Sequence, residues 1–194
     1  MSIRLATTQD IPAILDIYSP YVENTAISFE YVTPSLEAFT ARFLHHTAQF
    51  PWLVWEEDGR ILGYAYACAP FERAAYQWCA EASIYLHPDA HRKGIGSKLY
   101  QVLEQILTKQ GYITLYSLVT SQNTGSLAFH LARGYTVRAE FPRQGFKLGQ
   151  THGVTWLEKT LNFVEYPHKI PLSVRQIVKS DSILQDILDK ITLS

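Results

Sequence analysis

No stretch of this chain stays apolar for the roughly 20 residues that a membrane-spanning helix needs. Its opening residues, Met1-Ser2-Ile3-Arg4-Leu5, carry no signal-peptide core. Neither sign of charge dominates: 17 Lys and Arg against 18 Asp and Glu leave a formal net charge of −1. That balance speaks against broad electrostatic binding to nucleic acid or to a membrane surface, and leaves room for one local basic loop. Cysteine is scarce. Cys68 and Cys79 have no second pair with which to build a zinc site or a disulfide framework, and no metal is expected. Both lie in apolar, strand-like text and read as buried free thiols in a reducing cytoplasm. Of the 194 residues, 47% are hydrophobic and 18% charged, enough for a real core in about one domain.

Period and punctuation predict a mixed α/β chain. Ile3-Arg4-Leu5 reads as a short strand. Thr7 or Thr8 then caps a helix with Ile11, Ile14, Leu15 and Tyr18 on one face and Asp10 in its positive first turn. Thr33-Pro34 signals a second helix start before Leu36, Phe39, Phe43 and Leu44. Trp52 to Trp55 and Ile61 to Ala69 form a hairpin around Glu57-Asp58-Gly59-Arg60. Cys79 to Leu86 is a third strand in that run, broken by one charge, Glu81. A strongly amphipathic helix follows, with Ile95, Leu99, Val102, Leu103 and Ile106 at spacings of three and four, closed by Gly111. Ile113 to Val119 is a strand, and Ser121-Gln122-Asn123-Thr124 opens a helix through Leu127, Ala128 and Leu131 to a cap at Gly134. Tyr135 to Phe141 and Val154 to Leu161 end the strands. Residues 1–161 thus form one domain and 162–194 a C-terminal extension. In the extension, after Tyr166-Pro167 and Pro171, Ser182-x-x-Gln185 resembles a capping box for a helix with Ile183, Leu184, Ile187, Leu188 and Ile191 on one face. That helix has its own domain or a second subunit to pack on.

The most informative segment is His91-Arg92-Lys93-Gly94-Ile95-Gly96-Ser97, after a strand and at the start of a helix. A helix N-terminus offers unpaired N–H groups and partial positive charge; Gly94 and Gly96 admit close approach, and Arg92 and Lys93 add charge. This is the chemistry of a diphosphate cradle. A nucleoside-triphosphate loop would end in Gly-Lys-Ser or Gly-Lys-Thr, and a dinucleotide fingerprint needs a third glycine where Leu99 stands. A capped helix whose glycines merely ease packing is the remaining alternative.

The strand, the Gly-x-Gly helix start and the segment bearing Asn123, Ser126, Phe129, His130, Gly134 and Tyr135 together resemble the GNAT N-acetyltransferase superfamily, with His91 where Gln or Arg is usual. Phe50-Pro51-Trp52-Leu53-Val54, Gly63-Tyr64-Ala65-Tyr66-Ala67, Arg73-x-x-Tyr76-x-Trp78-x-x-Glu81 and Gly145-Phe146-Lys147-x-Gly149-x-x-His152-x-Val154 occur in order and look like its phosphinothricin acetyltransferase branch. The resemblance covers residues 3 to about 161. It implies a mixed, mostly antiparallel sheet flanked by helices. It also implies acetyl-CoA as co-substrate, a small-molecule amine as acceptor, and a homodimer. Acetyl-CoA would be held by Ile84, Tyr85, Leu86, His91, Arg92, Lys93, Gly94, Ile95, Gly96, Ser97, Asn123 and Ser126.

For the chemistry, an α-amine with a pKa of about 7.7–8.0 needs a base near neutral pH. Glu81 is the candidate, and pairing with Arg73 or a substrate cation is its other reading. Backbone N–H groups at Ser83 to Leu86 suit a developing oxyanion. His130 stands where most relatives place a tyrosine that protonates the departing thiol; it is either that acid or a packed ring. Arg73 and Tyr76 are placed to recognise a substrate carboxylate, unless Arg73 is simply solvated. Phe29 and Tyr31 sit where a pocket lid would be. His152 aligns with a Trp-His-Asp-Val segment of which Thr151-His152-Gly153-Val154 keeps only part. The expected activity is N-acetylation of a small amino acid or analogue. Acetylation of a protein N-terminus or antibiotic amine, and a non-catalytic acyl-CoA-binding module, are the competing readings.

Overall fold

A computed structural model describes residues 1–164 and 169–179. Strand β1 (Ser2–Leu5) precedes helices α1 (Ile11–Asn24) and α2 (Leu36–His46), then strands β2 (Trp52–Glu57), β3 (Arg60–Cys68) and β4 (Cys79–Leu86). Helix α3 (Ile95–Gln110), strand β5 (Thr114–Thr120), helix α4 (Thr124–Ala132), strands β6 (Thr136–Lys147) and β7 (Gln150–Thr160), and a short helix α5 (Val174–Lys179) follow. The sheet runs β1-β2-β3-β4-β5-β7-β6. Every neighbouring pair is antiparallel except β4 and β5. Of the helix-bearing connections, the one through α3 therefore joins parallel neighbours. The other two do not, because β1 pairs β2 antiparallel and β7 inserts between β5 and β6.

Alternation along the strands divides the core into two layers. On one face Leu53, Ala65, Ala80, Ala82, Leu115 and Leu157 meet the apolar stripe of α3. On the other, Trp52, Val54 and Tyr64 meet Ile14, Tyr18, Phe39 and Phe43 of α1 and α2. Near the N-terminus, the Asp10 carboxylate accepts from the Thr7 N–H (2.7 Å), the Thr7 hydroxyl (3.0 Å) and both arms of Arg4 (2.7 and 2.8 Å). This knot ties β1 to the start of α1.

Four local expectations are corrected. The cap of α2 is Ser35, whose hydroxyl accepts from the Ala38 N–H at 3.1 Å, and not the Thr33-Pro34 pair. Leu36 and Leu44 are half exposed, since Phe39 and Phe43 alone aim at the sheet. Leu131 is also half exposed, and the buried residue of α4 is His130. Strands β6 and β7 reach further than expected because Leu148 (φ 51°) and Gly149 (φ 73°) make a two-residue hairpin turn with both residues left-handed. Pro142 is tolerated there because β6 is an edge strand with an irregularity between Phe141 and Gly145.

Past residue 161, Gln110 donates to the Leu172 carbonyl (2.7 Å), and Val174 and Ile177 are buried. The described part of the extension thus packs on its own chain. The segment at 165–168 with Tyr166-Pro167, and the helix expected at 182–191, lie outside the described residues. Cys68 and Cys79 are free thiols.

Candidate active site

Strands β4 and β5 pair over only three positions, Cys79 with Thr114 through Glu81 with Tyr116, and then part. The register fixes what fills the gap. In an antiparallel pair the backbone groups of successive residues point to alternate sides. The His87 N–H bonds the Leu62 carbonyl of β3 at 2.9 Å, so residues 81, 83 and 85 address β3, while 82, 84 and 86 address the gap. Two contacts agree: the Ala82 carbonyl accepts from the Ser117 hydroxyl (3.3 Å), and the Leu86 carbonyl accepts from the Tyr21 hydroxyl (2.6 Å). The Ile84 amide and carbonyl thus face a notch of about 60 Å³ bordered by Ile27, Tyr85, Tyr100, Ser117, Asn123 and His130.

The notch opens into a groove of about 480 Å³, within the usual range for a ligand pocket. One wall is the turn into α3. There Arg92 (φ 60°) and Gly94 (φ 77°) are both left-handed, which swings the first-turn N–H groups of α3 toward the groove. A Cβ on Gly94 would meet no atom within 4 Å, so the space above it is open. At Gly96 a Cβ would lie 3.4 Å from Ile84 and 3.5 Å from Leu86, which records how closely α3 sits on β4. Leu86, His91, Ile95 and Ser97 line this groove, as do Asn123 and Ser126; Lys93 does not. The Asn123 side-chain oxygen caps α4 through the Ser126 N–H (3.1 Å), which leaves its amide NH2 available to a ligand.

Glu81 sits where the β4–β5 pairing ends, on the sheet face turned to α1 and α2. Burial pushes its carboxyl pKa up, and it has no hydrogen bond or ion pair among the described residues. The Cys68 thiol on the paired position of β3 is pushed up to about 12, first by burial and then by Glu81. Arg73 is exposed and has no ion-pair partner among the described residues, so the alternative Glu81–Arg73 ion pair is not formed. Tyr76 is half exposed, its ring 4.6 Å from Phe71.

His130 is buried. Its Nδ1 lies 2.8 Å from the Ser126 carbonyl, which can only accept, so the proton resides on Nδ1. Burial lowers the ring's pKa, which keeps it neutral, and Nε2 accepts from the Tyr100 hydroxyl at 3.0 Å. The ring's one proton is therefore committed to the Ser126 carbonyl. His152, also buried, donates from Nε2 to the Lys147 carbonyl (2.9 Å) inside the β6–β7 hairpin. Phe29 lies on Gly145, where a Cβ would come within 2.4 Å of its ring, and the Tyr31 hydroxyl donates to the Phe146 carbonyl.

Sequence reasoning missed Tyr21, Ile27, Tyr100 and Ser117. Two of them left a trace: Ser117 is the polar residue between Leu115 and Val119 on a buried strand face, and Tyr100 sits in the apolar stripe of α3 with a hydroxyl that needs a partner. No group of three His, Cys, Asp or Glu side chains among the described residues could hold a metal ion, and no helix among them is long and apolar enough to cross a membrane.

Residues 3–156 match the acetyltransferase (GNAT) domain. The chain is 35% identical to a phosphinothricin N-acetyltransferase of Alcaligenes faecalis, covering 83% of each. It is 31% identical to an L-methionine sulfoximine/L-methionine sulfone acetyltransferase of Salmonella typhimurium, over 84% of this chain and 95% of that one. Among solved structures, a phosphinothricin acetyltransferase from Sinorhizobium meliloti in complex with acetyl-CoA superposes with a TM-score of 0.82 at 30% identity, covering 88% of this chain and 97% of its own.

Proposed function

The chain belongs to the GNAT acetyltransferase family, whose acyl donor is acetyl-CoA, and from that premise we propose that it acetylates the primary amine of a small amino acid or analogue of the phosphinothricin, methionine sulfoximine or methionine sulfone type. The observation that supports this best is the break between β4 and β5, which turns the Ile84 amide and carbonyl into an open notch. The groove leading to it is fronted by the free N–H groups of α3.

When bound, acetyl-CoA supplies an activated acyl group as its thioester. The first-turn amides of α3, with Arg92 beside them, would hold its diphosphate, and the backbone of Ile84 would hold the arm that reaches the notch. The chain's own residues then do three things. Glu81, with its pKa raised by burial and no competing partner among the described residues, takes a proton from the amine. The Ile84 amide donates to oxygen charge as it develops. Tyr100, seated by His130 and Ser117, places a neutral hydroxyl at the inner end of the notch. His130 itself serves as the seat of that hydroxyl and not as a proton donor. A CoA thiol, with a pKa near that of cysteine, about 8.5, departs as a thiolate without a strong acid. Exposed Arg73, beside Tyr76, is free to grip the acceptor's carboxylate bidentately. Phe29 and Tyr31 form the covering wall, and Lys93 contributes charge only.

We assign a homodimer and the cytoplasm as the setting. The edge strand β6 and its turn leave Val137, Phe141, Phe146 and Leu148 exposed, and free thiols suit a reducing compartment.

The test is CoA release followed with a thiol reagent while methionine sulfone, methionine sulfoximine or phosphinothricin is supplied. Release should rise with each acceptor. Acetyl-CoA binding without release from any amine would replace this reading by a non-catalytic acyl-CoA-binding module.

A further inference from the structure

Nothing in that mechanism uses Lys147, yet it is the least exposed cation of the described residues, at 3%. Its ammonium donates to two backbone carbonyls, Val22 at 2.5 Å in the last turn of α1 and Ser28 at 2.6 Å in the connection that follows. No carboxylate among the described residues forms an ion pair with it, and burial lowers its pKa against a smaller opposing pull from the more distant Glu30 carboxylate. Holding a charge in such a place is unfavourable, and a methionine would fill the space without that penalty. Of the two carbonyls, Val22 belongs to the end of α1 and Ser28 to the 25–35 connection, which crosses the open end of the notch. The ammonium thus ties the hairpin to that connection and to the helix from which it departs. Ile27 of that connection lines both the notch and the groove. Its near side is held by the Thr120 hydroxyl on the Ala26 carbonyl (2.6 Å). Its far side lies on the β6–β7 hairpin through Phe29 on Gly145 and Tyr31 on the Phe146 carbonyl.

We infer that Lys147 is a positioning residue for the acceptor, a latch by which the β6–β7 hairpin holds the 25–35 strap over the acetyl-transfer notch. This rests on the proposed activity for its kinetic consequence, though not for its structural one. Without the ammonium two buried carbonyls lose their donor and the strap lifts, so the acceptor loses its wall while Glu81 and the β4 backbone stay in place.

The experiment compares Lys147→Met with the parent chain in two ways. Hydrogen exchange over residues 24–33, read without any substrate, should speed up by about tenfold or more, with α3 unchanged. With methionine sulfone as acceptor, KM should rise about tenfold while kcat stays within about threefold. Unchanged exchange in the strap overturns the latch whether or not the chain is an acetyltransferase. Faster exchange with equal losses in KM and kcat overturns the positioning role. A parent chain that turns over no amine overturns the proposed activity alone. Should Lys147→Met not fold, Lys147→Gln, which keeps an N–H donor for one of the two carbonyls, should show a smaller rise in exchange over residues 24–33 and in KM; if exchange there equals that of the parent, the latch is overturned.

Discussion

Glu81 places stability and activity in opposition. Burial raises its pKa, so the folded chain holds that proton more tightly than the unfolded one. The resulting stability is present below the unfolded value and is lost as pH rises through the folded value. Glu81→Gln should therefore raise Tm at pH 7 while slowing acetylation about 100-fold or more, with acetyl-CoA affinity retained. The carboxylate is the working form, so the deficit of the variant should be large near neutral pH and shrink as pH rises and the amine loses its proton to solvent. A variant as fast as the parent across the pH range would remove Glu81 from the reaction. This residue was legible as a lone charge in an apolar strand. The partners of Tyr100 and Lys147 were not, because they lie 30 and 119 residues away, which no local spacing encodes.

Two elements carry predictions of their own. At the front of α3, Gly94 is left-handed and faces open space. Gly94→Val should weaken acetyl-CoA binding at least tenfold by isothermal titration, through a disfavoured φ and a side chain in the groove, while thermal unfolding shifts by only a few degrees. At the front of α1, Arg4 is the largest cause holding the Asp10 carboxyl down from 3.8 to about 2. A depressed acid stabilises above its unfolded pKa and loses that contribution as pH falls through its folded one. Asp10→Asn should cost roughly 2 kcal/mol at pH 7, allowing for solvent at Arg4, with the gap to the parent closing by about pH 2 in urea titrations. Most elements were readable from period and punctuation. The β6–β7 hairpin was cut short because Pro142 and three glycines look like a loop, whereas an edge strand and a left-handed turn absorb them. The Ser35 cap was overlooked because Thr33-Pro34 offers the same signal two residues earlier.

For the molecule as a whole, light scattering should report twice the chain mass, and Phe146→Glu with Leu148→Glu should halve it, if the exposed face of β6 meets a second copy. A parent chain of single mass would remove that assembly. Element order was visible in the sequence, but neighbour order was not: that β7 lies between β5 and β6, and that β4 pairs β5 so briefly, follows from packing across the whole sheet. The brevity of that pairing has a mechanical result. Three rungs join a four-stranded slab to a three-stranded one, so the seam, bridged otherwise by α3, the crossing segment and scattered side chains such as Ser117 on the Ala82 carbonyl and Phe71 against Tyr116 and Trp156, is where the molecule should yield first on heating. A cosubstrate wedged into the seam touches both slabs and acts as rivet as well as reagent, so saturating acetyl-CoA should merge two separately opening halves into one cooperative melt.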